Sequence, residues 1–320
     1  MKATKNFLWV IIALLFINCN PEIKGPPAGE YMGMKSTDTP QLLLPKLIAS
    51  PLTEYNGTFP PNGKEFFYTT NIPGQGIITY LKMNEKGEWT NPVVASFSGE
   101  YSEYDPIFSP DGNRLYFTSE RPVSDGQHPG KTNIWFVERT EDGWGEPMLL
   151  ELGKEGVYYS SFTNGGTMYF NIWETGDLYK AVKGENGFEI IALDSFLNSQ
   201  SAEGDPFISP DEDYIIFRGY NNSLGNGDLY ISFLIDGQWT DPENLGEPIN
   251  STAHEMCPFV TIDGKFFIFA SGRVLQKPKI LSGMEISRVI DQYKPYNSGN
   301  LNIYYVSTGF IPELKKKYQK

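Results

Sequence analysis

Apolar positions in this chain gather in short runs, each set just after a polar corner of Pro, Asp, Asn and Gly. The clearest runs are Phe66-Phe67-Tyr68, Leu115-Tyr116-Phe117, Met168-Tyr169-Phe170, Ile215-Ile216-Phe217 and Phe266-Phe267-Ile268-Phe269. Continuous apolar runs this short, bounded by turn residues and rich in aromatics, predict strands buried on both faces. The corners repeat as well. Phe108-Ser109-Pro110-Asp111-Gly112 leads into Leu115, and variants stand at Phe59-Pro60-Pro61-Asn62-Gly63, Phe162-Thr163-Asn164-Gly165-Gly166, Ile208-Ser209-Pro210-Asp211-Glu212 and Val260-Thr261-Ile262-Asp263-Gly264. Successive copies begin 49, 54, 46 and 52 residues apart. A steady period near fifty means one supersecondary unit stacked repeatedly, not a string of separate domains.

Each copy predicts a four-stranded antiparallel unit. Pro sets φ for a type I turn, Asp bonds its own backbone, and Gly accepts positive φ at the corner. A third strand opens on a polar–aliphatic–aromatic triplet: Asn133-Ile134-Trp135, Asp177-Leu178-Tyr179, Asp228-Leu229-Tyr230 and Asn302-Ile303-Tyr304. Ile77-Ile78-Thr79-Tyr80 of the first copy departs from it. A Gly-centred turn ending in an aromatic follows, and Pro92, Pro147 and Pro242 introduce a fourth strand, an outer position that tolerates a missing donor.

Such units predict an all-β chain of five blades packed radially round a channel, a five-bladed β-propeller. A sandwich with accidental self-similarity is the competing architecture. The fifth copy has no fourth-strand segment of its own, while residues 41–48 precede the first copy and fit that slot. Exchange of chain ends is therefore expected to close the ring, which removes free sheet edges. The propeller is expected over 41–311, with 312–320 a solvated basic tail.

Charge and leader change the picture. The formal net charge is −13, and it becomes −15 if Lys2 and Lys5 leave with the N-terminus. Such a surface repels nucleic-acid phosphates and anionic lipid. Lys2 and Lys5 precede an apolar stretch, Phe7 to Ile17, too short to span a bilayer comfortably, and it ends at Asn18-Cys19-Asn20. Residues 1–19 read as a bacterial lipoprotein signal with Cys19 the lipidated residue, although Asn18 and Phe16 depart from the usual pattern. Ordinary cleavage and an uncleaved anchor are the alternatives. Residues 20–40, with Pro21, Gly25, Pro26, Pro27 and Gly29, read as a flexible tether. The expected place is the bacterial envelope, on an outer-membrane anchor facing periplasm or cell surface. Cys257 then has no partner, and a buried inert thiol is expected, with neighbouring His254 keeping a nucleophile in view.

Ser109-Pro110-Asp111-Gly112 followed by Leu115-Tyr116-Phe117-Thr118-Ser119 resembles the WD40-like Pro-Asp repeat of TolB-type β-propellers. Trp239-Thr240-Asp241-Pro242-Glu243-Asn244-Leu245-Gly246 is similar to the version common in lipoproteins of the Bacteroidetes. The resemblance covers roughly residues 41 to 310. It implies a protein-interaction or ligand-binding platform without catalysis.

Candidate chemistry centres on carboxylates. Glu54, Glu103, Glu203 and Glu255 stand five residues before the corner phrase in four copies, and Asp105 and Asp205 lie two residues further on. These positions are expected to ring one mouth of the channel. A carboxylate ring would bind a cation, a basic partner or a sugar. A repeated structural part, with Glu pairing to Arg121 or Arg273, is the other reading, and repetition favours it because catalysis needs unlike groups in unlike environments. The enzyme alternative is a glycoside hydrolase-like protein using Glu103, Asp105, Glu203, Asp205 or Glu255. No metal is expected: the two histidines, His128 and His254, lack ligand spacing. Calcium at Asp125-Gly126 or Asn226-Gly227-Asp228 competes with a plain turn.

Two irregular loops complete the binding set, since loops on a regular scaffold are free to vary. The loop from Glu120 to Thr132 carries Arg121, His128 and Lys131. The insertion from Val274 to Gly299 carries Lys277, Lys279, Arg288, Tyr293, Lys294 and Tyr296, with a short helix expected within Met284 to Gln292. An envelope protein or saccharide is the expected ligand of a monomer, with the membrane touched only through a lipid.

Overall fold

Polar corners and aromatic runs fold as their spacing predicts. The computed structural model describes residues 29–124, 131–275, 279–292 and 298–319. A short β1 (Gln41–Leu42) precedes the first blade, β2 (Thr53–Thr58), β3 (Glu65–Ile72), β4 (Gln75–Lys82) and β5 (Val93–Val94). Blade 2 holds β6 (Glu103–Phe108), β7 (Arg114–Ser119), β8 (Asn133–Thr140), β9 (Gly143–Trp144) and β10 (Met148–Leu149). Blade 3 holds β11 (Val157–Phe162), β12 (Met168–Ile172), β13 (Asp177–Gly184) and β14 (Gly187–Ala192). Blade 4 holds β15 (Gly204–Ile208), β16 (Tyr214–Gly219), β17 (Asp228–Ile235), β18 (Gln238–Trp239) and β19 (Glu243–Asn244). Blade 5 holds β20 (Glu255–Val260), β21 (Phe266–Ser271) and β22 (Asn302–Ser307), with helix α1 (Ile286–Ile290) between the last two and α2 (Phe310–Lys315) behind them.

Each blade pairs its strands antiparallel in sequence order, and β9 and β18 merely extend the hairpins of β8 and β17. The ring is a five-bladed β-propeller. It closes by exchange of ends: Gln41 lies opposite Tyr305 and Leu42 opposite Tyr304, and the Leu43 amide donates to the Ile303 carbonyl at 2.8 Å. The closing strand is shorter than the expected 41–48, because Leu44 takes positive φ and residues 45–48 form a turn.

The second strand of every blade is its hydrophobic spine. Phe66, Phe117, Phe170, Phe217 and Phe269 are all buried, and burial of each such side chain contributes roughly 1.5–3 kcal/mol. Each blade buries one spine face against the preceding blade and the other against the next. The Pro-Asp corner also behaves as its chemistry dictates: Ser109 Oγ donates to Asp111 at 2.5 Å, and Gly112 takes φ of 73°.

The first and last described residues pack more closely than their composition suggests. Residues expected to form a tether begin packing at Gly29: its carbonyl accepts from Trp89 Nε1 at 2.9 Å, and Tyr31 and Met32 are buried against blade 1. The C-terminal lysines are not a free tail. Helix α2 seats Phe310 and Ile311 against blade 5, and Tyr318 lies 5.8 Å from Phe233 of blade 4. Lys315 pairs with Asp213 at 3.1 Å, and Lys317 pairs with Glu243. Cys19 and the signal segment lie outside the described residues. Among the described residues no helix is long and apolar enough to cross a membrane.

Candidate functional site

The four repeated glutamates do not ring the mouth as expected: Glu54, Glu103, Glu203 and Glu255 are buried. Each folds back onto the loop that leads into its inner strand. Ser98 Oγ and the Gly99 amide donate to Glu103 at 2.9 and 3.1 Å, and Ser251 Oγ and its amide donate to Glu255 at 2.6 and 2.9 Å. Ser199 holds Glu203 in the same way, and Ser50 donates to Glu54. In blades 2 and 5 an arginine completes the clamp: Arg121 meets Glu103 at 3.1 Å and Arg273 meets Glu255 at 3.4 Å. Arg121 also donates to the Phe97 carbonyl and lies 5.3 Å from the ring centres of both Tyr101 and Trp135. The geometry is that of a structural strut. A serine four residues before Glu54, Glu203 and Glu255 was the sequence signal for it. Burial raises the carboxyls of Glu54 and Glu203, the two without an arginine, above the ordinary value.

Two residues further along, every inner strand carries a bulge. The register shifts between Tyr55 and Thr58, Tyr104 and Ile107, Tyr158 and Ser161, Gly204 and Phe207, and Met256 and Phe259. Asn56, Asp105, Tyr159, Asp205 and Cys257 sit at these bulges with φ between 47° and 55°. Asn and Asp tolerate this left-handed backbone, whereas Tyr and Cys require their surroundings to enforce it. Different blades, not all of them adjacent in the ring, meet across these residues. Asp205 Oδ2 lies 3.4 Å from the Cys257 amide, Tyr159 donates to the Pro258 carbonyl at 2.5 Å, and the Asp105 amide donates to Thr69 Oγ1 at 3.0 Å. The bulges therefore place five side chains of four kinds at the centre of the wheel.

Above them the channel opens into a mouth of about 240 Å³, walled by Tyr55, Tyr104, Tyr158 and Trp173 and floored by Asp105, Asp205 and Arg218. Position by position the mouth is asymmetric. The strand residues facing the bulges are Thr69, Thr118, Asn171, Arg218 and Ala270 in blades 1 to 5. Arg218 Nε donates to Asp205 at 2.9 Å, and its Nη1 reaches the Tyr220 hydroxyl. Gly204 makes room for it, since a Cβ there would lie 2.4 Å from Arg218 Nη2. The Trp173 ring lies 5.6 Å from that of Tyr158, tilted at 45°, and remains 69 % exposed. Burial, reinforced by the nearby Asp205 charge, pushes the Asp105 carboxyl up to about 8.

Of the predicted residues, the mouth thus brings together Asp105 and Asp205 and excludes the glutamates and Arg121. Sequence reasoning missed Tyr55, Tyr104, Tyr158, Trp173 and Arg218. A signal existed: an aromatic follows the Glu position in blades 1 to 3, and Arg218 interrupts an otherwise small or neutral series. Arg288 lies exposed on α1, whose loop is pinned by Gln292 to Lys279. His128, Lys277, Lys294, Tyr293, Tyr296 and Asp125-Gly126 fall outside the described residues. Lys131 is taken by Glu155 at 2.6 Å. Cys257 is fully buried, and burial pushes its thiol well above the ordinary value. His254 Nδ1 lies 2.6 Å from the Asn226 carbonyl, and Asp228 accepts from the Leu224 amide and Asn244. Among the described residues no group of three acidic, His or Cys side chains is placed to hold a metal.

Fold and mouth together define the class: an all-β five-bladed propeller with a polar, aromatic-walled channel mouth. No protein-family model and no curated protein matches the chain. Solved structures resemble it in fold. One is a protein of Agrobacterium tumefaciens assigned as TolB, at 18 % identity and a TM-score of 0.46, covering 69 % of this chain and 71 % of that one. Another is TolB of Acinetobacter baumannii, at 17 % identity and 0.42, covering 62 % of this chain and 44 % of that one. A third is an endo-arabinase of Bacteroides thetaiotaomicron, at 15 % identity and 0.47, covering 74 % and 92 %. At such identities the likeness concerns the fold alone.

Proposed function

We propose that this chain is a non-catalytic ligand-binding propeller of the bacterial envelope, lipid-anchored through Cys19, whose channel mouth grips an envelope saccharide or protein segment. The observation that carries the reading is the mouth itself. Trp173 offers an open ring face beside Tyr158, and the Asp205–Arg218 pair lies directly below. An apolar wall with a few convergent polar groups is the usual form of a ligand site. Anchoring fits the same geometry. Tyr31 is bonded to Gly63 and Pro61 at the corner of blade 1, on the face opposite the mouth. The described chain thus enters the propeller from the face opposite the mouth.

The test is a fluorescence titration of the mature protein with soluble peptidoglycan fragments, which present sugar and peptide together. Saturable binding that disappears in Trp173→Ala is expected. Binding that survives Trp173→Ala and Arg218→Ala unchanged would remove the mouth from the proposal.

One observation favours a second reading, a carbohydrate-active enzyme. Asp105 and Asp205 occupy unlike surroundings, one carboxyl raised to about 8 and the other ion-paired, the pattern of an acid beside a base. Release of reducing ends from an oligosaccharide, abolished in a folded Asp105→Asn, would decide for it.

A further inference from the structure

On the corner-turn face, opposite the mouth, a cleft of about 720 Å³ opens between blades 2 and 3. Its floor is aromatic and aliphatic: Tyr116 lies 4.2 Å from Phe162 and 5.5 Å from Phe136, with Leu150 and Phe188 alongside. All but Tyr116 are only partly buried. The corresponding groove between blades 4 and 5 is filled by the chain itself.

Strand register makes that correspondence residue by residue. Arg114 pairs with Glu138 where Tyr214 pairs with Phe233, and Met148 lies opposite Phe136 where Glu243 lies opposite Ile231. Asn113 accepts the Arg139 amide where Asp213 accepts that of Leu234. In blade 4 these positions receive the C-terminal segment: Tyr318 covers Phe233, Lys315 pairs with Asp213, and Lys317 pairs with Glu243. Phe233 is consequently fully buried, while its counterpart Glu138 and the counterpart of Glu243, Met148, are exposed.

We propose that the cleft between blades 2 and 3 is a docking groove for a short amphipathic segment of a partner protein, one carrying acidic residues beside an aromatic or aliphatic face. The C-terminal segment, from α2 through Tyr318, shows the shape that such a groove accepts. The charges show the sign. The two acidic anchors of the C-terminal segment in blade 4 are replaced by neutral Asn113 and Met148, and the cleft lining carries Arg114, Arg139 and Lys183 against Asp111 and Glu138, with Arg114 paired to Glu138 at 2.7 Å. Lys183 is exposed and forms no ion pair among the described residues. A second copy of the basic C-terminal segment would meet the wrong charge here. An apolar stripe laid into a groove, with flanking charges selecting the partner, is a recurrent mode of peptide recognition.

Two synthetic peptides test the assignment on the whole mature protein. One reproduces residues 309–319; the other carries Lys315→Glu and Lys317→Glu. Fluorescence anisotropy at low ionic strength is expected to show the acidic peptide binding about tenfold more tightly than the native one. The exposed variant Lys183→Glu, with melting temperature unchanged, is expected to weaken the acidic peptide and reverse the order. Three results would each overturn the proposal: no saturable binding of the acidic peptide, binding indifferent to Lys183→Glu, or preference for the native peptide. The last would reassign the groove to a second copy of this chain.

Discussion

Two rings of residues, two positions apart on the same inner strands, have followed different courses. The outer ring repeats itself: four glutamates, each bent back onto a serine, two of them locked by arginine. The inner ring shares a backbone conformation at all five bulges and almost nothing else: Asn56, Asp105, Tyr159, Asp205 and Cys257. Sameness marks the part that every blade needs in order to receive its incoming loop. Divergence marks the part freed from that duty, and there the unlike groups of the mouth collect. Repetition of a carboxylate is therefore a poor guide to chemistry in such a wheel, and departure from the repeat is a better one.

The largest expected effect tests the outer ring. Glu255→Ala leaves Arg273 buried beside the Pro248 and Ile249 carbonyls without its carboxylate, and should cost about 3–5 kcal/mol in urea unfolding. Glu54→Gln, in a blade that lacks the arginine, should cost about 1 kcal/mol or less. Equal losses would show that the arginines do not distinguish the blades.

Next comes the inner ring. Folded Asp105 keeps its proton to about pH 8, whereas in the unfolded chain it loses it near the ordinary value of 3.8. The folded state thus binds the extra proton between those limits, and stability falls as pH rises from about 4 to 8. Glu54 and Glu203, also raised, act in the same direction. Asp105→Asn should flatten that slope and gain roughly 1–3 kcal/mol over the parent at pH 8, vanishing near pH 4. The backbone already accepts Asn at the equivalent Asn56. A slope unchanged in thermal melts across that range would contradict a protonated Asp105. The smallest effect on stability is expected at the rim: Trp173→Ala should change unfolding by no more than about 0.5 kcal/mol while removing ligand binding.

Much of this was legible from residues alone. The apolar run Leu115-Tyr116-Phe117 after Pro110-Asp111-Gly112, and its four counterparts, specify second strands, turns and blade number through local chemistry. The missing fourth strand of the last blade implied closure by the N-terminal segment, and β1 supplies it. Less legible were positions whose meaning depends on direction. Glu103 and Asp105 are two residues apart and would point to one face of a regular strand, yet the bulge that follows Tyr104 sends one into the blade edge and the other toward the channel. The lysines of the C-terminus read as a solvated run because their partners Asp213 and Glu243 lie 102 and 74 residues away in sequence and become neighbours only when the ring closes.

What the chain order by itself determined is the blade, repeated five times, because turn residues and short aromatic runs act over a few neighbours. Which side chains meet at the hub, and which clefts between blades stay open, was decided by closure of the ring. Only that step brings blades distant in sequence within bonding distance and makes each bulge residue face partners from other repeats.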